Sequence, residues 1–201
     1  MNYIAIDTSD KHLTIIVKKD GKFYEFFTED SGKKHSVMLM PELEELLLEA
    51  DMSVKDADFY ACVTGAGSFT GIRIGISTVK AFMLSSGKPC LAVTSFDTLA
   101  YNKQGKVLAV IDANHDAYYV AGYDGGKVIL PPSFMQKSEV EKIVPEYEFI
   151  VSSTVTPFGG EIVSRSDGLK KAIESKETEL SSDPESLVPV YVRKSQAEEG
   201  R

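Results

Sequence analysis

GAGSFTGIRIG, residues 65 to 75, lies between an apolar run, FYACV, and a helical pattern. Strand, glycine turn, helix is the usual layout of a phosphate cradle, where backbone N–H groups at a helix start face an anion. Gly65, Gly67, Ser68, Thr70 and Arg73 make up the motif loop. A loop of the G-x-x-x-x-G-K-[ST] type also supplies a lysine. Here the cation is Arg73, two residues past Gly71 and inside the predicted helix. A second reading uses the same residues differently. Gly65 and Gly67 permit a sharp turn, and Ser68 or Thr70 caps the helix. Gly71 and Gly75, four apart, then leave a flat stripe, continued by Ser77, Thr78 and Ala81, on which another helix can lie closely. Phosphate contact and close helix docking both remain open at this point.

Working outward, NYIAIDTS reads as a buried strand ending at Asp7. HLTIIVKKDGKFYEFFTED reads as two strands joined by Asp20-Gly21, a strong hairpin signal. His35 to Met52 is a predicted helix, with Pro41 either kinking it or lying in its first turn. Ala57 to Thr64 is a strand, Gly71 to Ser85 a helix, and Pro89 to Thr94 a strand. Ser95 is placed as the cap of a short helix through Ala100. Three strands, helix, strand, helix, strand is the order of a ribonuclease-H-like α/β unit.

A second pass starts near residue 106. KVLAVIDANHDAYYVAGYDGGKVI offers a strand ending at Asp112, a turn, a second strand, Gly125-Gly126 and a third strand. Residues 138 to 144 read as helix and Glu148 to Ser152 as strand, then a polar helix near 167 to 177 and an irregular stretch from 181 to 189. The expected architecture is an α/β, actin-like/ribonuclease-H-like (ASKHA) tandem fold, with a complete first half and a reduced second half. The boundary falls near Asn102 to Gly105, giving an N-terminal subdomain over 1–103 and a C-terminal one over 104–201. Asp7 with Thr8, and Asp112, are the internal echo. In actin-like folds two such strand ends pinch a nucleotide phosphate or a metal; an aspartate at a strand end also simply caps a turn.

The formal net charge is −8 and the lysines are scattered, so direct nucleic-acid binding by this chain is not expected. Cys62 and Cys90 each fall in a buried-strand run, as inert core thiols do. The N-terminus shows no basic, long-apolar leader, and no apolar run approaches membrane-span length. A cytoplasmic location, off the membrane, is expected.

On its motifs the chain resembles the TsaB (YeaZ) family of tRNA threonylcarbamoyladenosine biosynthesis subunits, related to the TsaD/glycopeptidase-like family. The motifs are IAIDTS, KKHSVMLMP, GAGSFTGIRIGISTVKAF, VTSFDTLA, VIDANHDAYYVAGY and PVYVRKSQAE. Members of the family usually carry proline where Ala66 stands and arginine where Asn114 stands. In the related catalytic subunits a helix carries two histidines four apart that bind a metal. Here His35 matches the first, and Leu39 stands at the second. The resemblance therefore implies a chain without metal, cofactor or catalytic residues of its own. It implies a TsaD-type catalytic partner, a TsaE-type ATPase, and a homodimer when alone. An enzyme, either metallopeptidase-like (glycopeptidase/M22-type) or ATP-binding, is the alternative.

VMLMPELEELLLEA is apolar over more than one face, and a second apolar face on a helix marks an interface or a large core. The expected interface comprises Val37, Met38, Met40, Leu43 and Leu47 on the first helix. Gly71, Ile74, Gly75, Thr78 and Phe82 supply it from the second. The helices 36–50 and 70–85 would pack as a four-helix bundle with the same pair on a partner.

Overall fold

The computed structural model describes residues 1–31, 34–101 and 103–193. Compactness divides them into a first unit, Met1–Thr94 with Ile173–Val190, and a second that starts at Ser95–Ala172. This differs from the expected division at 103/104, and one end of that expected boundary, Asn102, lies outside the described residues, as does the end of the PVYVRKSQAE motif.

The first unit contains β1 (Tyr3–Asp7), β2 (Leu13–Lys19), β3 (Lys22–Thr28), α1 (His35–Glu49), β4 (Phe59–Val63), α2 (Phe69–Ser86) and β5 (Cys90–Val93). The sheet order is β3-β2-β1-β4-β5. The first three strands are antiparallel neighbours, and β4 and β5 join in parallel. The elements follow one another along the chain as expected: three strands, helix, strand, helix, strand. Asp20 and Gly21 both have positive φ (51° and 83°), as a tight I′-like hairpin turn demands.

Leu39, Leu43 and Leu46 recur at i, i+4 and i+7 on α1 and are buried. Ile72, Ile76 and Val79 do the same on α2. Both stripes meet Ile4, Ile6, Leu13, Ile15 and Val17, so the two helices cover one face of the sheet. Each such leucine removed from water contributes about 1.5–3 kcal/mol. Pro41 lies inside α1 beyond its first turn, and the helix runs on past it to Glu49, short of the expected Met52. Lacking an N–H, Pro41 leaves the Val37 carbonyl without its helical donor.

The stretch from 181 to 189, expected as irregular, is a strap bound to the first unit. Ser181 and Cys90 exchange two backbone hydrogen bonds of 2.8 Å. The Lys80 ammonium meets the Glu185 carboxylate at 2.9 Å. Leu187 enters the core, and the Val190 N–H donates to the Thr64 carbonyl at 2.8 Å.

Cys62 and Cys90 are free and buried. Burial pushes both thiols above their ordinary range, and the neighbouring Asp7 carboxylate adds to this at Cys62. The thiolate is the reactive form. An aromatic disulfide reagent at pH 8 should therefore label neither thiol in the native protein and both in denaturant. Fast labelling of Cys62 without unfolding would contradict the packing.

The second unit contains α3 (Asp97–Ala100), β6 (Lys106–Asp112), β7 (Ala117–Asp124), β8 (Lys127–Gln136), α4 (Lys137–Ile143), β9 (Phe149–Ser152) and β10 (Glu161–Ile162). A further helix, α5 (Arg165–Lys176), follows. Its sheet order, β8-β7-β6-β9-β10, matches the first sheet when each strand is counted from its unit's start. The two-residue β10 was not anticipated. Phe96, rather than Ser95, occupies the cap position of α3. Leu108, Val110, Tyr118, Val120 and Val140 form this unit's core.

Candidate functional site

The glycine loop faces its own chain. A Cβ on Gly67 would lie 1.9 Å from the Ser9 carbonyl oxygen. That carbonyl accepts a hydrogen bond of 2.5 Å from the Ser68 N–H. A Cβ on Gly71 would lie 2.0 Å from the Thr8 carbonyl oxygen, and the Thr8 hydroxyl donates to the Gly71 carbonyl at 2.7 Å. A Cβ on Gly75 would lie 2.7 Å from the Thr8 hydroxyl and 3.3 Å from the Cys62 sulfur. Gly65 has φ 113°, closed to ordinary side chains, and lies under the Val190 carbonyl. The small residues thus let the β1–β2 turn lie against the start of α2. The space beside the loop holds carbonyl oxygens of Thr8, Ser9 and Val190, which repel an anion rather than attract one.

Ser68, not Thr70, caps α2, accepting from the Gly71 N–H at 3.3 Å. Thr70 and Arg73 are exposed, and the Arg73 guanidinium lies 4.0 Å from the centre of the Phe69 ring.

The Asp7 carboxylate is buried and holds the turn from inside. One oxygen accepts from the Ser9 N–H (2.9 Å) and the Ser9 hydroxyl (2.6 Å); the other accepts from His12 Nε2 (2.8 Å). The His12 carbonyl in turn accepts from His35 Nε2 at 2.7 Å. A carbonyl can only accept, so this His35 nitrogen carries the proton and offers no lone pair to a metal. In the second unit Asp112 accepts from the Asn114 N–H at 2.7 Å. The echo between Asp7 and Asp112 is thus a repeated turn: each carboxylate accepts from the N–H two residues on. Among the described residues no group of three His, Cys, Asp or Glu is placed to hold a metal ion.

Four residues expected at an interface are instead interior. Leu43 and Phe82 belong to the core between helix and sheet, and Gly71 and Gly75 face Thr8. The physical reason is register. A stripe at i, i+4 tells that a helix face is flat or apolar, not which neighbour it meets. Val37 (68%) and Met40 (49%) are exposed, and Met38, Leu47, Ile74 and Thr78 are half-buried. A groove of about 490 Å³ opens among Ser36, Leu39, Met40, Arg73, Ile74 and Thr78. Leu84, 78% exposed on α2, was not among the expected interface residues. Its spacing from Arg73, Ser77 and Ala81 was the available signal.

Comparison with known proteins gives concordant relatives. The family model described as TsaD, tRNA N6-adenosine threonylcarbamoyltransferase, matches residues 26–133. The tRNA threonylcarbamoyladenosine biosynthesis protein TsaB of Bacillus subtilis is 35% identical over 127 residues, 61% of this chain and 55% of that protein. Its counterpart in Escherichia coli is 32% identical over 128 residues, 61% of this chain and 55% of that protein. The matches therefore span little more than half the length of these relatives. A crystal structure from Pseudomonas aeruginosa, of an uncharacterized protein with similarity to peptidase YEAZ, superposes with a TM-score of 0.75 at 24% identity. It covers 96% of this chain and 99% of that one. A second Pseudomonas aeruginosa structure, of YeaZ, gives 0.72 at 23% identity, covering 94% and 99%. At these identities the two structures speak to the fold.

Proposed function

This chain belongs to the TsaD family, in its TsaB/YeaZ branch, and from that premise we propose a non-catalytic scaffold and activator subunit for threonylcarbamoyladenosine modification of tRNA. The partner is a TsaD-type ligase that carries the metal and transfers the threonylcarbamoyl group to N6 of adenosine 37 (the position is implied by the family resemblance). A TsaE-type ATPase completes the set, and the isolated chain pairs with itself. The chain works in the cytoplasm and touches no nucleic acid directly; in the described residues no helix is long and apolar enough to cross a membrane. Its tandem organisation is part of the same reading, supported by the shared sheet order, and the reduction of the second half by α4, seven residues long where α1 has 15.

The observation that carries the reading is the exposed apolar face of α1 and α2. Met40 lines the groove, and Val37, Leu48 and Leu84 are exposed elsewhere on the same two helices. Several exposed aliphatic side chains on neighbouring helices are a feature of docking surfaces. Meanwhile the histidine at the relative's ligand position spends its Nε2 proton on a carbonyl. Reconstitution of tRNA modification from purified subunits, with and without this chain, tests the proposal. Unchanged activity on omission would reject it.

Nucleotide binding separates this reading from an ATP-using enzyme. Asp7 and Thr8 are committed to the turn and the helix start, and no P-loop lysine accompanies them. Calorimetry on the isolated chain should find ATP binding weaker than about 1 mM. Micromolar affinity would favour the enzyme.

A further inference from the structure

Both proposed docking helices start on the same buried turn. His35, the first residue of α1, donates to the His12 carbonyl. His12 Nε2 donates to Asp7, and Asp7 accepts twice from Ser9. The Ser9 carbonyl receives the Ser68 N–H, and the Thr8 hydroxyl holds the Gly71 carbonyl, both in the opening turn of α2. The path is continuous, and its side chains are buried: Asp7 1%, Thr8 and Ser9 0%, His12 4% and His35 7% exposed. Its ends adjoin the groove, since Ser36 follows His35 and Phe69 and Thr70 lie between Ser68 and Gly71.

We propose that Asp7 is a positioning residue for the docking face: its carboxylate sets the N-terminal ends of α1 and α2 together, so that a partner meets one prearranged helix pair. The docking half of this inference rests on the function proposed above; the coupling between the helices stands on the hydrogen bonds alone. Buried hydrogen-bonded networks fix geometry because breaking one link leaves a polar group unsatisfied. Two helices tied to one carboxylate must respond together when it is changed. The effect is also reciprocal: a change at His35 must be felt in α2.

Asp7→Asn tests this in the full chain. An amide oxygen still accepts from Ser9, but the charge that held the His12 N–H is gone, and the NH2 can bond Nε2 only after the ring moves its proton to Nδ1. Three amides report. Met38 N–H bonds to the Lys34 carbonyl in α1, and Ile72 N–H to the Ser68 carbonyl in α2. Tyr60 N–H, bonded to the Pro89 carbonyl between β4 and β5, is the control. The expected result is hydrogen exchange about tenfold faster at both Met38 and Ile72, with Tyr60 unchanged, as loss of a single buried hydrogen bond implies. Self-association, and binding to a TsaD-type subunit, should weaken about tenfold while a cooperative melt persists.

A rise at only one helix, or an equal rise at all three amides from global loosening, overturns the coupling. Faster exchange at both helices with wild-type association overturns the docking half. If Asp7→Asn does not fold, His35→Leu and His35→Gln decide. Loss of the donor in the first should speed exchange at Ile72, across the turn in the other helix, and the glutamine amide should restore it. No response at Ile72 rejects the proposal. If the wild-type chain neither self-associates nor binds a TsaD-type subunit, the proposed function fails, and the exchange measurements still judge the coupling.

Discussion

Gly71→Ala should destabilise the isolated chain by about 3 kcal/mol, although alanine is the better helix former by about 1 kcal/mol. The added methyl would lie 2.0 Å from the Thr8 carbonyl oxygen. That neighbour is backbone and cannot swing aside as a side-chain end would. The Thr8 hydroxyl also bonds the Gly71 carbonyl, so parting the two segments loses this contact as well. Urea unfolding at a concentration where the protein is monomeric reads the effect. A docking glycine predicts the opposite sign: an unchanged or more stable monomer with impaired association. Equal or greater monomer stability would therefore refute the assignment of Gly71 to the turn. Gly75→Leu follows the same logic, since its Cβ already meets the Thr8 hydroxyl at 2.7 Å.

The second large effect has the opposite form. Val37→Asp combined with Met40→Asp should change folding stability by no more than about 0.5 kcal/mol, because both side chains already stand in water. Association should fall by a factor of about 30 or more, the 2 kcal/mol scale of an interface hot spot. Sedimentation measures self-association, and calorimetry measures binding to the TsaD-type subunit. Undiminished binding in both would show that this face of α1 is not where partners dock.

Those two outcomes also mark what could be read from the chain without coordinates. Asp20-Gly21 announced its hairpin because only a few residue pairs accept two positive φ values in succession. The leucines of α1 and the isoleucines of α2 announced helices through their period. From that followed the order of elements along the chain and the α/β class. Gly71 and Gly75 were legible as a flat stripe, yet the thing lying against the stripe, Thr8, is remote in sequence and joined by no local pattern. The same gap misplaced Leu43 and Phe82, whose period is equally compatible with a core and an interface. Met40 and Val37 do stand outside the core, because α1 carries more apolar surface than one sheet face can cover. Asp7 was legible as a strand-end carboxylate. Its tie through His12 to His35 was not, since a link through a backbone carbonyl leaves no trace in residue type. The strap was invisible for a simpler reason: its composition is polar, and it has Leu187 but no period.

That strap bears on the order in which the molecule is made. Chains generally fold as units during synthesis, earlier residues first. Here all five strands of the first sheet leave the ribosome well before Leu187 and Val190, which complete that sheet's core and secure the end of β4. The nascent first unit therefore waits, its Leu187 cavity open and the outer edge of β5 unpaired at Cys90, while the whole second sheet is translated. Closure of the earliest-made part comes after synthesis of the second sheet. A chain stalled or cut before residue 187 would lack Leu187 and the Val190 hydrogen bond, and its first unit would stay unfinished.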